Sequence, residues 1–324
     1  MTSEKKSSTS SALASKVTAP LTPNFKPTDY LTFFTAGALC ATLTHGAATP
    51  IDVVKTRIQI DPALKGSSLL KGGRQIVATE GARGLLAGFG PTAVGYFIQG
   101  GGKFVGYEFW KKQFVELVGD QETAIQYRLP IYLGAAAVGE FFADILLTPL
   151  EATRIRLVSD RKYATGLVSG FTRLAREGGL RDMYAGFLPI LCKQIPYALG
   201  QFTVNEYCHE LVYKQMSEER KAHLSRAENI SISLGSGIIA GFAAAILSQP
   251  ADTLLSQINK GHGPGGSMAN RLITLSKELG FRGLFSGLGP RMYMTAFLVS
   301  GQFAIYGAVK HALHAPPGVE IHKE

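Results

Sequence analysis

Two stretches of the chain carry no Asp, Glu, Lys or Arg: Leu31–Ile51, 21 residues long, and Ile230–Ala251, 22 residues long. Each is long enough to cross the hydrocarbon core of a bilayer as a helix, which takes about 20 apolar residues. Met292–Val309 adds an uncharged stretch of 18 residues. Three more apolar stretches are broken only by isolated charges: Gly84–Val105 by Lys103, Leu129–Leu150 by Glu140 and Asp144, and Met183–Phe202 by Lys193. The pattern predicts six membrane-spanning helices, and an even number places both chain ends on one side. After the first of these helices, Leu69, Leu70, Gly73, Ile76 and Val77 fall on one helical face. That spacing predicts a short amphipathic helix lying at the membrane surface.

The helices come in pairs because the chain repeats. Pro50-Ile-Asp-Val-Val-Lys-Thr-Arg57, Pro149-Leu-Glu-Ala-Thr-Arg-Ile-Arg156 and Pro250-Ala-Asp-Thr-Leu-Leu-Ser-Gln257 place their prolines 99 and 101 residues apart. A second marker recurs in step: Gly88-Phe-Gly-Pro91, Gly186-Phe-Leu-Pro189 and Gly287-Leu-Gly-Pro290, spaced 98 and 101 residues. An acid precedes each, at Glu80, Glu177 and Glu278. Two markers in one register define three tandem repeats, 30–118, 119–215 and 216–313. No repeat can bury its apolar faces alone, so the three form one all-α membrane domain. Residues 1–29 are rich in Ser, Thr and Lys, have no Arg, and lack the apolar core of a secretory signal. They read as a flexible tail, and 314–324 as a short second one.

Composition agrees with a membrane protein. Charged residues make up 18% of the chain, below the ~25% of soluble domains, and Gly reaches 37 of 324. The net charge of +9 would suit nucleic acid, an anionic membrane or an anionic substrate, but uncharged spans of 21 and 22 residues argue against a soluble nucleic-acid binder. The long loops 60–83, 159–182 and 260–283 hold 13 Lys+Arg against 6 Asp+Glu, while 111–128 and 213–229 hold 7 against 6. Excess Lys and Arg mark the inward side, so the long loops face the inner compartment and both termini the other. Cys40, Cys192 and Cys208 have no metal-ligand spacing, and no phosphate-cradling loop or hydrolase motif occurs. Gly37 with Ala41, and Gly237 with Gly241, suit close helix packing.

The Pro-x-[Asp/Glu]-x-x-[Lys/Arg]-x-[Lys/Arg] signature, three times in register with a downstream acid and Gly, resembles the mitochondrial carrier family over roughly residues 30–313. Within that family, Lys193-Gln-Ile-Pro-Tyr197 and a His45 seven residues before Asp52 are similar to the phosphate-carrying members. The resemblance implies import of inorganic phosphate with a proton, or in exchange for hydroxide, by alternating access across the mitochondrial inner membrane. It implies no cofactor, no metal, no nucleic-acid partner and no enzymatic step. Inner-membrane lipid such as cardiolipin would be the surroundings and a monomer the working unit. Carriage of another anion or of copper, and a non-transporting scaffold, are the competing readings.

Four sets of residues follow. Each repeat proline is followed at +2 by an acid, and in the first two repeats at +5 by a base. These could bond within one helix or between helices; the resemblance implies the second, a matrix gate with Asp52 facing Arg154 and Asp252 facing Lys55. Glu151 would face Leu255, leaving that ring incomplete. Simple anchoring of helix ends at headgroups is the structural alternative.

At the opposite ends, Tyr107-Glu-Phe-Trp-Lys111 matches the family's second gate motif, Asn205-Glu-Tyr-Cys-His209 departs from it, and Tyr306-Gly-Ala-Val-Lys310 lacks the acid. Glu206–Lys310 is the expected cytoplasmic-side pair, Glu108–His209 a conditional one, and Lys111 is left without a partner.

Lys103, Lys193 and Arg291 lie within or beside the apolar stretches of the even helices, where a charge must face water or a counterion. Three cations suit a small doubly charged oxyanion, with Gln99, Gln194 and Tyr197 as neutral donors. Finally, His45 and Asp144 each stand five residues before a repeat proline, with Glu140 one turn from Asp144. Histidine titrates nearest neutral pH, so these groups suit a proton relay, which the resemblance extends to Glu151. A structural His–carboxylate bridge is the alternative.

Overall fold

The computed structural model describes residues 22–64, 67–160, 162–217, 219–220, 223–259, 268–319 and 321. Most of the 1–29 tail, and the Gly-rich loop 261–266, lie outside the described residues.

The described residues are mostly helical, with no strand among them. Repeat one contains α1 (Pro27–Ile60), α2 (Leu69–Glu80) and α3 (Phe89–Val118). A six-residue α4 (Gln121–Gln126), N-capped by Asp120, leads into α5 (Arg128–Ser159), α6 (Leu167–Met183) and α7 (Phe187–Ala198). A π-helical turn, Leu199–Thr203, joins α7 directly to α8 (Val204–Lys214). Repeat three supplies α9 (Arg226–Asn259), α10 (Met268–Leu284) and α11 (Leu288–Ala312). Glycines with positive φ, Gly88 and Gly287, start α3 and α11, because the left-handed backbone there costs an L-residue but not glycine.

The long helices form a closed ring. α1 packs on α3, α3 on α5, α5 on α7, α7 and α8 on α9, α9 on α11, and α11 returns to α1. Small residues set these approaches. A Cβ on Gly37 would lie 2.6 Å from the Gly100 carbonyl, and one on Gly237 would lie 2.5 Å from the Cα of Ser300. Neither pair of helices could come so close with a larger residue at those positions.

The polarity of the ring is inverted relative to a soluble protein. Leu31, Leu43, Phe142, Leu146 and Phe297 are exposed on the outside, while Lys103, Lys111, Glu140, Asp144, Gln201 and Gln302 are buried within. Such an arrangement suits lipid around the ring and polar chemistry inside it. By length and apolar composition alone, the segments Pro27–Ile58, Arg128–Ser159, Ala227–Leu255 and Arg291–Ala312 qualify as membrane spans. α3 also has spanning length, but its charges lower its mean hydropathy, and Lys103, Glu108 and Lys111 are turned inward.

α1, α5 and α9 continue as helices through Pro50, Pro149 and Pro250. The surface helix α2 divides its apolar residues between α1 and the outside. Gly72 and Ile76 are buried, Gly72 against Val54 and Ile58 of α1, while Leu69, Leu70 and Val77 stay exposed. Val168 and Leu180 of α6, and Ile273 and Phe281 of α10, are exposed in the same way. These apolar faces fit an interfacial position.

Candidate functional site

The interior of the ring holds one polar layer near mid-length and a set of ion pairs at each end. In the layer, Gln99 and Lys103 of α3 meet Glu140 of α5. Gln99 Nε2 donates to Glu140 Oε1 at 2.5 Å, and Lys103 Nζ stands 3.8 Å from Glu140 Oε2. Lys103 also donates to Gln201 Oε1 at 3.2 Å, and Gln201 Nε2 donates to Gln302 Oε1 at 2.8 Å. Tyr197 presents its ring 5.8 Å from Lys103 Nζ. A buried ammonium needs a counterion, and Glu140 supplies it. Asp144, one turn along α5, is fully buried with no hydrogen bond to either carboxyl oxygen.

His45 does not reach these carboxyls; it stacks on Tyr96, ring centroids 3.6 Å apart and planes 5° from parallel. The alternative reading, a structural His–carboxylate bridge, is therefore absent among the described residues. α3 stands between α1 and α5 in the ring, and its Tyr96 takes the histidine face.

The three interior cations start from different depths on their helices. Arg291, Lys193 and Lys103 stand four, seven and fifteen residues after Gly287, Gly186 and Gly88, the equivalent glycines of their repeats. At ~1.5 Å of rise per residue, the extremes differ in depth by about 16 Å. Lys193 and Gln194 are half-buried, one turn before Tyr197, without a hydrogen bond or ion pair among the described residues. Arg291 is already occupied by α9. It donates to Gln249 Oε1 at 3.0 Å and Ser248 Oγ at 2.8 Å, and pairs with Asp252 at 3.3 Å.

That last contact corrects the expected Asp252–Lys55 pair. Lys55 is exposed, whereas Arg291 sits on the helix packed against α9. The other proline-end pair forms as expected between helices: Arg154 reaches Asp52 at 3.8 Å. Arg154 also holds Glu151 at 2.5 Å on its own helix, so Glu151 lies with the ion pairs and not with Glu140.

The end of the ring near the chain termini is closed differently. Lys111, 1% exposed, pairs with Glu206 at 2.6 Å and Glu108 at 3.3 Å. Lys111 thus has two partners where none was expected, and it occupies the Glu206 carboxylate assigned to Lys310. Tyr107 Oη donates to the same carboxylate at 3.2 Å. The ammonium of Lys310 lies over the rings of Phe33 and Tyr306. His209 Nδ1 bonds the Asn205 carbonyl of its own helix at 2.9 Å, and Glu108 accepts from Val319 N at 2.9 Å, so the expected Glu108–His209 pair is replaced on both sides. Glu108, Lys111, Glu206, His209 and Lys310 line one cavity of about 310 Å³, flanked by Pro317–Val319 of the C-terminal segment. Its floor includes Phe104, Phe202 and Phe303, whose ring centroids are 5.2, 6.0 and 6.2 Å apart. Each phenylalanine follows a member of the Lys103–Gln201–Gln302 layer, so two threefold-related layers lie one above the other.

Sequence reasoning passed over Tyr96, Gln201, Gln302 and the three phenylalanines. All carry ordinary core or polar signals singly. Only the repeat register, with Lys103, Gln201 and Gln302 spaced 98 and 101 residues, marks them as one set.

Comparison with known proteins agrees with this threefold construction. Residues 26–117, 126–216 and 226–316 each match the mitochondrial carrier protein family. This chain belongs to the mitochondrial carrier family. The carrier is 43% identical to mitochondrial substrate carrier family protein N of Dictyostelium discoideum, over 90% of this chain and 97% of that one. It is 38% identical to the mitochondrial phosphate carrier protein of Caenorhabditis elegans, over 94% of this chain and 87% of the relative. With the probable mitochondrial phosphate carrier protein of Schizosaccharomyces pombe the identity is 35%, over 91% and 97%.

Proposed function

We propose that this carrier is a secondary active transporter that brings inorganic phosphate with a proton, or in exchange for hydroxide, across the mitochondrial inner membrane. One observation carries the mechanism: a buried cation, Lys103, held between Glu140 and a chain of neutral amides, lies between two sets of ion pairs at opposite ends of the ring. A carrier needs such a mid-membrane site with a separate closure on each side. The phosphate carriers among the relatives support phosphate as the cargo. The helix ring closes within one chain, which supports a single-chain transport unit.

On this reading the anion approaches Lys103 and competes with Glu140 for its ammonium. Lys193, half-buried toward the proline end and without an ion pair among the described residues, is the next cation along the path. Asp144 and Glu140 lie one turn apart with Lys103 as a nearby cation, and this supports the pair as the place where the proton travels. His45, stacked on Tyr96, would serve on the path toward Glu151. Asp52–Arg154 and Asp252–Arg291 close the matrix side, and Lys111 with Glu206 and Glu108 closes the side that bears the termini, toward the intermembrane space. Arg291 therefore moves from the substrate set to the matrix closure.

Purified protein in liposomes, loaded and assayed against a panel of anions, tests the reading. Phosphate uptake should exceed that of dicarboxylates and rise when the outside is made acid. Absence of stimulation by the pH gradient would remove the proton from the mechanism, and preference for another anion would remove phosphate. His45→Ala should flatten the pH dependence of uptake while the protein still inserts and folds.

A further inference from the structure

Lys103, Gln201 and Gln302 each stand fifteen residues after the glycine that opens the even helix of its repeat. They are one position of the repeat, occupied once by a cation and twice by an amide. Gln201 is 0% exposed and Gln302 1%, and the three side chains are joined in series, Lys103 to Gln201 at 3.2 Å and Gln201 to Gln302 at 2.8 Å. A single hydrogen-bonded line therefore crosses all three repeats at one depth.

Two features mark this line as more than core filling. The layer above it, Phe104, Phe202 and Phe303, separates it from the cavity at the terminal end. Moreover, Gln201 sits inside the π-helical turn Leu199–Thr203. A π turn gives up regular helix geometry, and such turns recur where a side chain must be aimed. Beside it, Gly200 lets the α9 backbone approach; a Cβ there would lie 2.6 Å from Ala244 N. The irregularity falls on the even helix whose residue links the other two.

The amide chemistry fits a particular cargo. Gln201 accepts from Lys103 with its carbonyl and donates to Gln302 with its NH2. An oxyanion held by Lys103 would replace that carbonyl as acceptor. A freed amide can then donate through its NH2 to an anionic oxygen, or accept through its carbonyl from a P–OH group. Phosphate near neutral pH carries at least one such hydroxyl; sulfate carries none. A second lysine at position 201 or 302 could donate but not accept, and would not separate the two anions.

We propose that Lys103, Gln201 and Gln302 form one anion-contact layer, one residue from each repeat, in which Lys103 supplies the charge and the two amides recognise the hydroxyl of a protonated phosphate and so reject sulfate. The proposal rests on the reading of this carrier as a phosphate transporter.

The test uses full-length wild type and the near-isosteric variants Gln201→Leu and Gln302→Leu in liposomes. The readouts are KM and Vmax for phosphate, and inhibition of phosphate uptake by sulfate, with folding checked by thermal unfolding in detergent. The expected result for Gln302→Leu is a phosphate KM raised about tenfold, Vmax within about twofold, and sulfate inhibition increased relative to phosphate, since a mis-satisfied polar site typically loses about a factor of ten or more in discrimination. Gln302→Asn, which keeps the amide, should recover part of the discrimination. Unchanged KM and unchanged sulfate inhibition would overturn the proposal, as would a fall in Vmax alone, which is the signature of a merely structural amide. Should a leucine variant fail to fold, Gln201→Met and Gln302→Met, which also remove the amide, are read by the same criteria. Failure of the underlying reading looks different: wild type itself would not carry phosphate. The same variants then leave KM for the anion it does carry unchanged if the layer is not a contact site.

Discussion

The two ends of the helix ring are closed by ion pairs buried to different degrees. At the proline end, Arg154 is shared between Asp52 and Glu151, and Arg291 holds Asp252, with the Asp52 side chain 36% exposed. At the terminal end, Lys111 is sealed between Glu206 and Glu108, with three phenylalanines beneath it and Val319 against Glu108. Ion pairs near solvent are screened and individually weak, whereas a buried pair is costly to break because it strands the surviving charge. The difference implies that, in this conformation, the proline end is the one that yields more easily. A transporter that opens alternately needs such an asymmetry to be small and reversible, and the central layer is where a bound anion could tip it.

Breaking the terminal closure should have the largest effect on stability. Lys111→Ala leaves Glu206 and Glu108 without their cation and should cost about 3–5 kcal/mol, read as a large fall in the thermal midpoint in detergent. An unchanged midpoint would mean that water reaches the pair and that the two ends are alike. Truncation after Ala315 removes the buried side chains of Val319 and Ile321 and the Val319–Glu108 hydrogen bond. Its expected cost is about 2–4 kcal/mol from lost apolar burial, with greater reactivity of a probe cysteine placed in the cavity.

At the other end, Arg154→Ala should cost less, about 1–2 kcal/mol, while making the proline side more accessible to the same kind of labelling. A loss as large as that of Lys111→Ala would erase the contrast. Lys103→Ala sharpens the comparison from between the ends. Phosphate uptake should stop, and the midpoint should fall as well, because Glu140 is left buried with only Gln99 on one of its oxygens.

The smallest effect is expected at the surface helix α6. Arg173 donates to Glu177 at 2.6 Å, and that hydrogen bond holds the Glu177 carboxyl below its usual 4.5. A lowered folded-state value means that any stabilisation is present above 4.5 and is lost as the pH falls through the lower value. Both groups are open to water, so Arg173→Ala should leave the midpoint at neutral pH essentially unchanged.

Much of the architecture was legible in residues 31–309. Uncharged stretches and a repeated proline marker predict six helices and three repeats without reference to any contact. The boundaries of the even helices were less legible. α3 runs from Phe89 to Val118, well past the apolar stretch ending at Val105, because Glu108, Lys111 and Tyr107 continue the helix on a face turned inward. A hydropathy pattern cannot tell a polar residue facing a pore from one facing bulk water. The residue types of both closures were legible as well, since acids and bases recur at repeat positions. Which base meets which acid was not. Lys55 and Arg291 are both within reach in a schematic ring, and only the packing of α11 on α9 puts Arg291 on Asp252. Lys111 was assigned no partner because its equivalent acid is missing, yet a lysine reaches far enough to take Glu206 from the next even helix.

His45 and Asp144 share a depth, which left a direct bridge open as the alternative to a relay, but depth is only one coordinate. The angular position of α3, and Tyr96 upon it, decides that His45 stacks instead of bonding. By itself, the chain's sequence determines that it spans a membrane, that it does so as three similar units, and that a few charges must face inward, because burying apolar surface and avoiding unpaired charge in lipid are demands each residue makes independently of its neighbours. The tertiary structure alone decides which charges pair, that Gln201 and Gln302 extend the line begun by Lys103, and how deeply the pairs at each end are buried. Those outcomes depend on side-chain reach and rotation between helices far apart in the chain, and a linear pattern carries neither.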